Sequence, residues 1–86
     1  MAAQQTLKIS VISPEATLFE GEASSVTAPA FDGEVGILPS HAPMVTTLGA
    51  GVLRIGNDTQ RFQVEGGFLQ VVDNVVRVVT EKASKL

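Results

Sequence analysis

Apolar and polar residues alternate with a period of two along most of the chain, the spacing that puts one face of a β-strand in a core and the other in water. In "TLKISV", Leu7, Ile9 and Val11 share one face while Lys8 and Ser10 take the other. "ATLFEGE" supplies a second strand with a bend at Gly21. In "SSVTAPA", Val26, Ala28 and Ala30 alternate with Ser25, Thr27 and Pro29. Pro29 lacks a backbone donor and is expected at a sheet edge or a strand end. "FDGE" has turn chemistry in Asp32 and Gly33. Further strands are predicted in "VGIL", "MVTTL", "VLRI", "QRFQVE", "FLQVV" and "VVRVV", separated by "PSHAP", "GAG", the hairpin signal "GND" at 56–58, Gly66 with Gly67, and "DN" at 73–74.

About nine short strands at this spacing, with no ten-residue stretch that prefers helix, define an all-β sandwich or barrel. In "FLQVV" and "VVRVV" the apolar residues fall on both faces: Phe68 and Val72 oppose Leu69 and Val71, and Val75 and Val79 oppose Val76 and Val78. A sandwich strand wets one face, so outward valines point to a surface that is covered, by a partner or by a loop.

Composition narrows the picture. The 86 residues, 44% hydrophobic and 5% aromatic, call for an aliphatic core around Phe19, Phe31, Phe62 and Phe68. With no cysteine there is no disulfide framework and no thiolate metal site. "MAAQQTLK" does not resemble a signal peptide, and the chain is expected in the cytosol. The net charge of −3 is uneven. Residues 1–43 hold Lys8 against five acidic groups, whereas residues 44–86 hold five basic groups against four acidic ones. An acidic first half argues against nucleic acid and suits a basic or polar protein partner. The final Ser84-Lys85-Leu86 matches a peroxisomal address, but the plainer reading is a flexible tail from about residue 82.

Candidate chemistry is sparse. His41 is the lone histidine, and its neighbours Ser40, Asp32 and Glu34 do not form a nucleophile elbow, because prolines rather than glycines flank Ser40-His41. One histidine without cysteine does not make an ordinary zinc site, and fixing the proline turn is the simpler role. Glu15, Glu20 and Glu22 read as a solvated face rather than paired acids. The glycines match neither phosphate-binding motif, and the absence of tyrosine and tryptophan argues against a stacking platform. What remains is a contact module, with a free-standing ligand-binding sandwich as the alternative.

The segment "GEVGILPSHAPMVTTLGAGVLRI", with "VISPEATLFEGEA" before it and "VEGGFLQVVDNVVRVVTEKA" after it, resembles the epsilon subunit of F-type ATP synthases over Leu7 to Ala83. The resemblance implies one domain over 1–86, a flattened β-sandwich of about ten short, mostly antiparallel strands. It also implies a non-catalytic rotor subunit in the central stalk of a proton-translocating enzyme, peripheral at the cytoplasmic face of the bacterial inner membrane. Its partners would be the gamma subunit and the c ring. Asp32, Gly33 and Glu34 fall at the c-ring contact, and His41, Ala42, Pro43, Met44, Val45 and Thr46 on the segment packed near gamma. Family members continue into two carboxy-terminal helices, so no cofactor or nucleotide is expected on these residues.

Overall fold

The computed structural model describes residues 6–56 and 60–86; Asn57 and Asp58 of the expected hairpin signal lie outside them. Among the described residues ten strands form, β1 Leu7–Ile12, β2 Thr17–Ala23, β3 Val26–Ala30, β4 Gly33–Ile37, β5 Met44–Thr47, β6 Ala50–Ile55, β7 Gln60–Glu65, β8 Phe68–Val72, β9 Val75–Val79 and β10 Lys82–Lys85. They make two five-stranded sheets, a first in the order β2-β1-β9-β8-β5 and a second in the order β10-β7-β6-β3-β4. Every pairing is antiparallel except β1 with β9. The chain is an all-β sandwich.

The period-two pattern builds the core directly. Leu7, Ile9, Val11, Leu69, Val71, Val76 and Val78 from the first sheet meet Val26, Ala28, Ile37, Leu53, Ile55, Phe62 and Val64 from the second, all of them buried. Each large aliphatic side chain fully withdrawn from water contributes roughly 1.5–3 kcal/mol. Phe19, partly buried, packs edge-to-face on the buried Phe62, ring centres 6.3 Å apart, whereas Phe31 and Phe68, expected in the core with them, are exposed.

Three local features depart from the sequence expectation. Pro29 sits in an internal strand, as the fourth of five residues in β3. The β3–β6 ladder ends at Thr27 opposite Arg54, so the proline falls where no donor is required, and its carbonyl accepts the Gly49 N–H at 2.8 Å. Residues from about 82, expected as a flexible tail, form β10, whose backbone pairs with β7 from Lys82 opposite Glu65 to Lys85 opposite Phe62. On the side away from β6, β7 has a row of backbone groups that β10 satisfies, making β10 the edge of the sheet; Ala83 packs against the core, and the Leu86 N–H donates to the Arg61 carbonyl at 2.9 Å. "GAG" only partly interrupts its strands, since β6 already begins at Ala50.

Gly67 fixes one end of the sandwich. Its φ is +102°, and a Cβ there would overlap the Val79 carbonyl. The backbone therefore comes close enough for the Leu48 N–H to donate to the Gly67 carbonyl at 2.9 Å, tying the end of β5 to β8.

Candidate contact surfaces

The stretch from Asp32 to Thr46 leaves one sheet and enters the other. β4 is the edge of the second sheet, β5 the edge of the first, and "LPSHAP" crosses between them. The Phe31 N–H donates to the Thr47 carbonyl at 3.1 Å, so the β3–β4 turn carrying Asp32 and Gly33 lies at the carboxy-terminal end of β5. His41, Ala42 and Pro43 enter β5 at its other end. The two groups of residues singled out in the sequence thus lie along one edge of the sandwich, separated by the length of β5.

At the acidic turn, Phe31, Asp32, Gly33 and Glu34 are all exposed. Gly33 has φ +129°, a conformation that side-chain-bearing residues rarely take, which lets a two-residue turn close between Ala30 and Gly33. Glu34 pairs with Pro29 across the ladder and projects from the outer face of the second sheet, where its carboxylate accepts from the Arg54 guanidinium at 3.3 Å. Both side chains are partly wet, 56% and 35% exposed, so the pair adds at most about 1 kcal/mol and leaves the carboxylate available to an outside cation.

At the other end, the proline loop is held by the β8–β9 turn. Asp73 and Asn74 have φ of 51° and 64°, the two left-handed positions of a type I′ hairpin loop. The Asn74 side-chain carbonyl accepts the Ser40 N–H at 2.6 Å, and its backbone carbonyl accepts the Lys8 N–H at 2.8 Å. Ser40 itself has φ 70°, a conformation that costs of order 1 kcal/mol and is sustained by this bond and by the Leu38–His41 turn, in which the His41 N–H donates to the Leu38 carbonyl at 3.2 Å. His41 Nδ1–H donates to the Ala42 carbonyl at 2.7 Å. The imidazole is used inside the turn. Among the described residues, no three His, Asp or Glu side chains gather as a metal site.

Along β5 the side chains divide. Met44 and Thr46 lie opposite the buried Val71 and Leu69 and face inward; Val45 faces outward and is 68% exposed. Outward from the same sheet stand Phe68, Val72 and Val75, each 41–42% exposed, in register across β8 and β9. These are the outward apolar positions of "FLQVV" and "VVRVV", and no loop among the described residues covers them. The sequence did not single out Asn74 beyond its turn, because its contact with Ser40 spans 34 positions and leaves no local trace. Arg54 was also missed; register alone brings it to Glu34.

This small β-sandwich thus has an apolar outer face on one sheet and an anionic turn on the other. Residues 6–86 match the family described as ATP synthase, Delta/Epsilon chain, beta-sandwich domain, and the chain belongs to that family. Among curated relatives it is similar to the ATP synthase epsilon chain of Leptospira borgpetersenii serovar Hardjo-bovis (strain JB197), at 51% identity over 77 residues, 87% of this chain and 61% of the relative. It is also similar to the ATP synthase epsilon chain of Syntrophomonas wolfei subsp. wolfei, at 40% identity over 84 residues, 94% of this chain and 61% of the relative. The chain therefore spans about three-fifths of the length of the curated relatives it matches. Among solved structures, a chain of the Euglena gracilis mitochondrial ATP synthase superposes with a TM-score of 0.86 at 21% identity, over 99% of this chain and 56% of that one. A chain of the Tetrahymena thermophila mitochondrial ATP synthase central stalk and c-ring does so with a TM-score of 0.77 at 17% identity, over 96% of this chain and 69% of that one. At those identities the likeness is one of fold.

Proposed function

We propose that this chain is the β-sandwich part of a non-catalytic rotor subunit in a proton-translocating F-type ATP synthase, peripheral at the cytoplasmic face of a bacterial inner membrane. It couples ring rotation to ATP synthesis by holding gamma and the c ring together. The reading rests on family membership and on one geometric observation: Glu34 leaves the outer face of the second sheet, whereas Val45, Phe68, Val72 and Val75 leave the outer face of the first. Two opposed faces of unlike chemistry suit two different partners.

The division of labour follows from the physics of contact. Apolar area, once covered, gives the slower-dissociating grip, and the gamma-facing side would be Val45 with the His41–Pro43 loop that Asn74 holds in place. Met44 and Thr46 support that strand from within. A carboxylate at a solvated rim contributes orientation and encounter rate more than affinity, which suits Asp32, Gly33 and Glu34 to polar or basic loops of the c ring.

Titrating the chain onto gamma alone, and onto gamma bound to the c ring, tests the reading. Tighter binding is expected when the ring is present, with the gain abolished by Glu34→Lys while affinity for gamma alone stays within threefold. Failure to bind gamma in either form contradicts it.

A further inference from the structure

Arg77 occupies the centre of the apolar face. It is the third of five residues in β9, and β9 is the third of five strands in its sheet. Register places it in one outward row with Gln70 on β8 and Val45 on β5, and with Ser10 on β1 and Glu20 on β2. Rows on either side are more apolar. Val72 and Val75 stand towards the β8–β9 turn, while Phe68 and Val79, with Ile12 of β1 beside them, stand towards the far end.

Among the described residues Arg77 makes no hydrogen bond or ion pair. Glu20 is two strands away, roughly 10 Å at the ordinary strand spacing, and Asp73 lies out at the turn without pairing to it. A partner that covers the valines on both sides of Arg77 must also cover Arg77. A guanidinium taken out of water without a counter-charge is strongly unfavourable, whereas a carboxylate satisfies its planar fork with two parallel hydrogen bonds.

Resting on the proposed docking of this face, we infer that the partner presents one aspartate or glutamate, ringed by apolar side chains, directly to Arg77. The apolar rows then exclude water from the pair, and Arg77 sets the register in which the partner seats. The complementarity is specific in sign: a neutral or basic group at that point of the partner would leave the guanidinium buried and unpaired.

The test is a binding series of the chain with the gamma subunit of the same organism's ATP synthase. Arg77→Met keeps the length of the side chain and removes the charge; affinity is expected to fall roughly thirtyfold or more, because the partner's carboxylate is left buried alone. Arg77→Glu is expected to lose binding further and to regain at least tenfold with one acidic-to-arginine change in the partner. Val75→Asp controls for use of the face, and thermal melts confirm that these outward changes leave the fold intact. Arg77→Met binding within threefold of the parent while Val75→Asp abolishes binding would overturn the inference and leave the docking face standing. Both variants within threefold would remove the docking face as well. Loss on Arg77→Met with no acidic position whose exchange rescues Arg77→Glu also overturns it, as does sedimentation showing a dimer of this chain that Val75→Asp disrupts.

Discussion

Single residues set the shape of the contact surfaces more than they supply chemistry. Asn74 shows this most clearly, since its left-handed backbone closes the β8–β9 hairpin and its side chain holds Ser40 in an unfavourable conformation of its own. Asn74→Gly keeps the hairpin backbone and removes only the acceptor, whereas Asn74→Ala loses both. Asn74→Gly is expected to cost about 1 kcal/mol and Asn74→Ala about 2 kcal/mol, or roughly 4–8 °C of melting temperature per kcal/mol for a domain of this size. Differential scanning calorimetry of the two variants checks the order; equal melting temperatures for parent and Asn74→Gly would show that the Ser40 bond contributes nothing. At this scale the sequence was partly legible. "DN" announced a turn and "PSHAP" a rigid loop, but their meeting depends on strand order, which local spacing does not encode.

At the scale of elements, the alternation was the strongest signal, and it held wherever one face is buried. β1 and β7 follow it residue by residue, whereas in β8 and β9 only the burial alternates, because their outward residues are largely apolar too. It failed at the last strand because "KASK" carries one small apolar residue among charged and polar ones; what makes β10 a strand is the open edge of β7, a property of the assembled sheet. The parallel pairing of β1 with β9 was likewise invisible, since it joins segments more than sixty residues apart. Native-state hydrogen exchange tests β10 directly. Backbone amides of Lys82–Lys85 that point at β7 are expected to exchange at least tenfold more slowly than an unstructured tail, and deletion of residues 82–86 is expected to speed exchange of their β7 partners. Random-coil exchange across β10 would contradict the pairing.

For the whole molecule, the consequence is a sandwich with two unlike outer faces. The first sheet turns outward Val45, Phe68, Val72 and Val75 around Arg77, and the second turns outward Glu34 braced by Arg54. Alternation read in sequence foretold the outward valines. The opposed directions of Val45 and Glu34, only eleven positions apart, follow from the crossing between sheets at the proline loop. Because the chain has no cysteine of its own, single cysteines report contacts without background. The most direct measurement is therefore cross-linking in the assembled synthase from Val45→Cys and, separately, from Glu34→Cys. The account predicts that Val45→Cys links to gamma and Glu34→Cys to a c-ring subunit. Both positions linking to the same partner, or Val45→Cys remaining open to a water-soluble thiol reagent in the assembled enzyme, would contradict it.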